Sequence, residues 1–282
     1  MADIPYITGF TVKPKEITPI GDVIFTDGTN DITPNQRECE AYGYTYDPNT
    51  GTCSTFSFNT NLNRNVSNIN NTLKGSQNTS ETGTNNNLLL GENNTIRSGS
   101  RNNLIVGSEN EITNEINNTT VVGTLGLSTA SNSIVLGGNA GADVLGERQS
   151  IQLMYGVQTT AGSTVDSYLN NIRYSYFVIP DNSIMYFHAN VIAVRVGGSA
   201  DEGAVGDYAS WVERGVVINQ SGTLSVNRER DAIKSSGTVT DWRPVANYSG
   251  TNFRMTVRGE TDTTIEWNSN ITFTEIKTGV AL

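Results

Sequence analysis

The feature that most constrains this chain is a repeat between Leu73 and Gly137. Asn71-Thr72-Leu73-Lys74-Gly75 is followed by Asn87-Leu88-Leu89-Leu90-Gly91. Asn103-Leu104-Ile105-Val106-Gly107, Thr119-Thr120-Val121-Val122-Gly123 and Ser133-Ile134-Val135-Leu136-Gly137 come next. The glycines at 75, 91, 107, 123 and 137 stand 16, 16, 16 and 14 residues apart, and Ile96 and Ile112 keep the same step. A short fixed period, with a brief apolar strand closed by glycine, is the mark of a solenoid. Sixteen residues suit a coil of two short strands and two turns, with glycine or asparagine supplying the positive φ of tight corners. Stacked about 4.8 Å apart, four steps advance the chain by about 20 Å.

Asparagine accounts for 18 of residues 61–118, and stacked amides can bond their copies above and below. An Asn-rich disordered linker is the alternative, but disorder does not require apolar triplets in register. Three or four apolar residues per coil look too few to fill a single-chain core. The expectation is therefore that several chains, three in number, pack Leu88, Leu90, Leu104, Val106, Val122, Ile134 and Leu136 against a common axis.

This repeat resembles the head β-roll of trimeric autotransporter adhesins and the β-roll shafts of bacteriophage fibres. It departs from them in a longer coil and in bulkier Leu, Ile and Val before the glycine. The resemblance implies a trimeric shaft in a fibrous virion protein.

Charge narrows the function. The formal net charge is −10 and the sequence pI about 4.6, whereas nucleic-acid binding wants a basic face. No run of about 20 apolar residues offers a membrane span. The opening Met1-Ala2-Asp3-Ile4-Pro5-Tyr6 lacks the basic and apolar regions of a secretory signal, as expected of a protein assembled into a virion in a host cytoplasm.

Residues 1–56 hold five of the seven prolines and read as an extended arm with a small knot. Such an arm either docks on another virion protein or is a floppy terminus. The knot is Cys39 and Cys53, the only cysteines, with the turn Asp47-Pro48-Asn49-Thr50-Gly51 between them. Three readings stand side by side. A disulfide would stabilise by about 3 kcal/mol. Two buried thiols are the second reading. A metal site is the third, although two cysteines without histidine cannot complete a zinc set.

The expected domains are thus an attachment arm over 1–56, a β-roll shaft over 57–145, and a third region over 146–282. In the third, Arg173–Ile179, Ser183–Val196, Tyr208–Ile218, Thr223–Asn227, Phe253–Arg258, Thr264–Trp267 and Asn270–Lys277 read as strands. Their turns are rich in Gly, Asn, Asp and Ser, which suggests an antiparallel β-sandwich or jelly roll. The fold class is therefore all-β. The texts Val205-Gly206-Asp207-Tyr208-Ala209-Ser210-Trp211-Val212 and Ile265-Glu266-Trp267 through Phe273-Thr274-Glu275-Ile276 resemble a β-domain at the C-terminus of tailed-phage fibre proteins. That likeness implies a trimeric knob and carries over no catalytic residue.

Chemistry finds little support in the sequence. His188 is the sole histidine and alternates within a strand, so neither a histidine metal site nor His-based catalysis has partners. No cofactor motif is present. Carboxylates suited to glycoside cleavage exist in number, but the expectation is that the chain is not an enzyme. Binding is the favoured class. The loop with Asp201 and Glu202, and the stretch with Trp242, Arg243, Asn247 and Tyr248, offer residue types that stack on sugars and bond them. Against that, Trp242 and Tyr248 could simply close the end of the sandwich. The expected role is a homotrimeric phage fibre holding a host-surface glycan. The alternatives are a head or neck fibre without a receptor, and a glycan-cleaving fibre.

Overall fold

The computed structural model describes residues 5–18, 21–48, 50–55, 70–138, 144–200, 203–236, 239 and 241–278. Asp201 and Glu202 lie outside the described residues. The chain divides into two units, 1–64 and 65–282.

The first unit has a core of its own, which the arm expected from the prolines would lack. Strands β1 (Lys13–Ile17), β2 (Val23–Thr26) and β3 (Asp31–Ile32) form an antiparallel sheet. Helix α1 (Gln36–Ala41) follows, then the hairpin β4 (Thr45–Asp47) and β5 (Thr52–Ser54). Asn35 and Glu38 close a reciprocal capping box that satisfies the helix's first amides. Phe25, fully buried, meets Tyr42 and Tyr44 edge-on. Cys39 and Cys53, also buried, are joined by a disulfide with Cα atoms 5.8 Å apart.

The second unit begins with the repeat. Its strands are β6 (Thr72–Ser76), β7 (Thr79–Ser80), β8 (Leu88–Glu92), β9 (Thr95–Ile96), β10 (Leu104–Ser108), β11 (Glu111–Ile112), β12 (Thr120–Thr124), β13 (Leu127–Ser128) and β14 (Ile134–Gly137). They form a β-solenoid of about four coils with two parallel walls, β6-β8-β10-β12-β14 and β7-β9-β11-β13. Leu73, Leu89, Ile105, Val121 and Val135 stand in one column by register. From Leu89 onward that column is fully buried, against Ile96 and Ile112 of the other wall.

Here an expectation fails. A single chain does close the solenoid core, because two ladders of buried asparagine take over work that apolar bulk would otherwise do. The Asn71, Asn87 and Asn103 side-chain oxygens accept from the backbone amides of Asn87, Asn103 and Thr119. Asn78, Asn94 and Asn110 repeat the pattern onto Asn94, Asn110 and Gly126. Each such bond satisfies a buried donor that would otherwise cost about 1–3 kcal/mol.

The repeating glycines are also not at the corners. They lie inside the strands, at φ +107 to +131 for Gly75, Gly91, Gly107 and Gly123, and a Cβ on Gly107 would stand 1.9 Å from the Gly123 carbonyl oxygen. One corner of each coil falls two residues later, at Gln77, Asn93, Glu109 and Leu125, and another at Asn86, Asn102, Asn118 and Asn132, where asparagine supplies the positive φ as expected, all with φ near +55.

The remaining strands are β15 (Arg148–Thr159), β16 (Thr164–Leu169), β17 (Phe177–Val178), β18 (Ser183–Gly198), β19 (Tyr208–Gln220), β20 (Thr223–Ser235), β21 (Arg243–Ser249), β22 (Asn252–Arg258) and β23 (Thr263–Lys277). Only Phe177–Val178 of the expected strand 173–179 is extended. The two strands expected over 264–277 are one, and the stretch with Trp242, Arg243, Asn247 and Tyr248 contains β21. Strand β15 pairs with β14, so the solenoid wall continues as one sheet in the order β14-β15-β23-β18-β19-β20. A shorter sheet of β21, β22, β16 and β17 lies over its inner face. Phe253 of that sheet packs at 5.0 Å on Phe273 and 5.2 Å on Phe187 of the long one.

Candidate functional site

Because side chains alternate along a strand, the residues flanking each buried solenoid position face outward. Leu88, Leu90, Leu104 and Val106 are half-buried there, while Val122, Ile134 and Leu136 are exposed. These are the seven side chains expected at a shared axis, and they form ribs on the outer surface of the wall. The register carries the same surface onward. Ile134 sits opposite Gln152, then Thr272, then His188, and Leu136 opposite Ser150, Thr274 and Tyr186. Among the described residues, half of the large apolar side chains that stay exposed lie on this one face, including Met154, Ile184, Tyr186, Ile192 and Ile276. Near its middle is a cleft of about 590 Å³ bounded by Asn132, Met154, Asn170, Ile192 and Asn268. His188 is half-buried on the face.

The expected sugar-contacting residues part company. Trp242 is buried, donates its ring N–H to Glu260 at 3.1 Å and packs on Trp267, so it has no free face. Trp211 and Trp267 stack on each other at 5.6 Å, also buried. Arg243, Asn247 and Tyr248 are exposed along β21. Asn247 pairs with Arg254 across to β22.

Arg254 belongs to a cluster the sequence reading missed, on the outer surface of the short sheet. Its guanidinium lies 2.6 Å from Asp166, donates to the Tyr176 hydroxyl at 2.9 Å, and covers the Tyr176 ring at 4.7 Å. Tyr176 in turn donates to Asp166 at 2.8 Å. Desolvation raises the pKa of Tyr176 above the usual phenol value, with Asp166 adding to it and the Arg254 bond opposing. Tyr168 meets Tyr176 at 5.8 Å and Tyr174 at 5.9 Å, and Arg173 covers the Tyr174 ring at 4.8 Å. Tyr174 is 68% exposed with φ +66, a conformation that costs a bulky residue about 1–3 kcal/mol. The text Arg173-Tyr174-Ser175-Tyr176 alternates like a strand, which concealed a turn.

Two carboxylates are buried, Glu213 between the layers and Glu275 where the long sheet meets the last solenoid coil. Glu213 accepts from the Ala246 amide at 2.7 Å and from Arg228 at 3.0 Å. Glu275 accepts from Gln149 at 2.7 Å, with Lys277 at 3.8 Å. Burial pushes both carboxyls above the usual carboxylate range, against the opposing pull of those donors and cations. Among the described residues no three His, Cys, Asp or Glu side chains gather as a metal set.

No family model matches the chain, and no curated protein matches it. Among solved structures it is similar to tailspike proteins. The Acinetobacter baumannii phage AM24 tailspike shows 8% identity and a TM-score of 0.29 over 76% of this chain and 51% of that one. The Acinetobacter phage vB_ApiP_P1 tailspike shows 10% identity and 0.25 over 74% and 55%. The tailspike of Acinetobacter baumannii bacteriophage Fri1, described as a capsular polysaccharide depolymerase, shows 7% identity and 0.24 over 67% and 38%. The chain thus spans about half the length of the first two. The description of the Fri1 protein as a depolymerase stands against the expectation that the chain is not an enzyme.

Proposed function

We propose that this chain is a fibre or tailspike component of a tailed-phage virion, assembled as a homotrimer through the outer face of its long sheet and adhering to host-surface glycan. The observation that carries this reading is that face: ribs of Leu, Val and Ile on the solenoid share one outer surface with Met154, Ile184, Tyr186, Ile192 and Ile276, across rows that also carry Gln152, Thr272, Ser150 and Thr274. Exposed large apolar side chains gathered on one face mark an interface. Threefold closure follows the resemblance of the repeat to trimeric β-rolls. Residues 1–56 would then hold the virion, and the C-terminal layers would face the host.

Mass in solution tests the assembly. Light scattering should give about three times the 30.4 kDa of one chain, and a monomer would overturn it. Cell-surface binding by the chain tests adhesion. Release of reducing sugar from host polysaccharide is the measurement that would add cleavage to adhesion.

A further inference from the structure

The cluster on the short sheet is used neither by the proposed trimer nor by the core. We propose that Tyr168, Tyr174, Tyr176 and Arg173 form a binding site for an acidic saccharide, a sugar carrying a carboxylate. This rests on the adhesion reading and gives it a place and a ligand class.

The site is built before any ligand arrives. The turn that carries Tyr174 is closed by the Leu169 amide donating to the Ser175 carbonyl at 2.9 Å. It is tied to the last solenoid coil by the Asn170 side chain, which donates to the Ser131 carbonyl at 2.7 Å. Asn170, Asn171 and Tyr174 all have φ between +56 and +66. Asparagine adopts that region readily and tyrosine only at a cost. Such strain is held at functional positions where surroundings over-determine the backbone. Its result here is an exposed ring standing edge-on to Tyr168. Tyr176 is fixed by Asp166 and Arg254, so the platform loses little freedom on binding.

Charge sets the ligand class. Arg254 is already matched by Asp166. Arg173 is stacked on Tyr174 and has no carboxylate partner among the described residues. The platform therefore presents one unmatched guanidinium in a chain of net charge −10. A guanidinium can grip a carboxylate through two parallel bonds. The tyrosine rings offer an apolar surface with polar edges, suited to the C–H face and hydroxyls of a sugar. Asp166, Tyr168 and Arg254 lie on the side of the short sheet turned away from the long one, while Asn170 and Asn171 of the turn border the cleft on the long sheet's outer face. Three copies would act together, and their weak contacts would add by avidity.

The test titrates the full chain with a galacturonate trisaccharide, with its neutral galactose counterpart, and with a short polyglutamate peptide. The acidic sugar should bind at least tenfold more tightly than either comparison. Arg173→Gln should abolish the preference for acid over neutral sugar. Tyr174→Gly should weaken both sugars at least tenfold while keeping the fold, since glycine accepts the backbone angles that tyrosine resists. Equal binding of acidic and neutral sugar, equal binding of polyglutamate, or variants indistinguishable from the parent would overturn the proposal. If the variants still adhere to host cells as the parent does, this site falls and the adhesion reading stands. If the parent binds neither sugars nor cells, both fall.

Discussion

Gln149 donates to the buried Glu275 at 2.7 Å and accepts from the backbone amide of Leu127 at 2.8 Å. Through this one side chain the last solenoid coil is bonded to strand β23. Burial, opposed by Lys277 and Gln149, holds the Glu275 carboxyl above its unfolded value. Between those two values the folded protein keeps a proton that the unfolded chain releases. The stabilisation is full below the unfolded value and is lost as pH rises through the folded one. Glu275→Gln keeps a neutral group of the same shape. Its melting temperature relative to the parent should climb as pH rises above the usual glutamate value in a thermal unfolding series. A gap that stays flat across that range would count against the assignment.

The strand glycines should not accept even a methyl group. A Cβ at Gly91 would lie 1.9 Å from the Gly107 carbonyl oxygen, on backbone with φ +122. Gly91→Ala should cost at least about 2 kcal/mol, read as a fall in denaturant midpoint.

The asparagine ladder predicts a cost without any change in apolar area. Asn103→Ala leaves the buried Thr119 amide unpaired, because the Asn103 oxygen accepts it at 2.9 Å. The loss should be about 1–3 kcal/mol, and hydrogen exchange should quicken at Thr119.

Inner and outer residues of one rib should behave oppositely. Ile105, fully buried, should cost about 2–5 kcal/mol when cut to alanine. The double change Ile134→Asp and Leu136→Asp should leave the unfolding midpoint of the separated chain nearly unchanged while the mass by light scattering falls to one chain.

The disulfide spans a sequence separation of 14. Replacing Cys39 and Cys53 by serine should destabilise the 1–64 unit by about 3 kcal/mol on the loop-entropy account. In calorimetry the transition of the 65–282 unit should not move.

By itself the sequence determined the solenoid: copies of one text at a constant step must fall on one wall, because equal spacing places equal residues one above another. It also determined an all-β character, since Gly, Asn, Thr and Ser favour turns and strands over helices. What it left open is which side of each rib is inside. In Leu88-Leu89-Leu90 every position is apolar, so alternation carries no signal, and only the closing of the facing wall through Ile96 and Ile112 decides that Leu89 is buried. The corner was misplaced for a similar reason: glycine signals a positive φ, but not whether a turn or a neighbouring backbone demands it. The tyrosine–arginine patch draws on strands β16 and β22 and the turn that follows β16, spread from Asp166 to Arg254. Trp242 had the composition of a sugar contact and turned out to be packing. Burial and proximity of this kind arise from the laying of one sheet on another, which brings together residues remote in the chain.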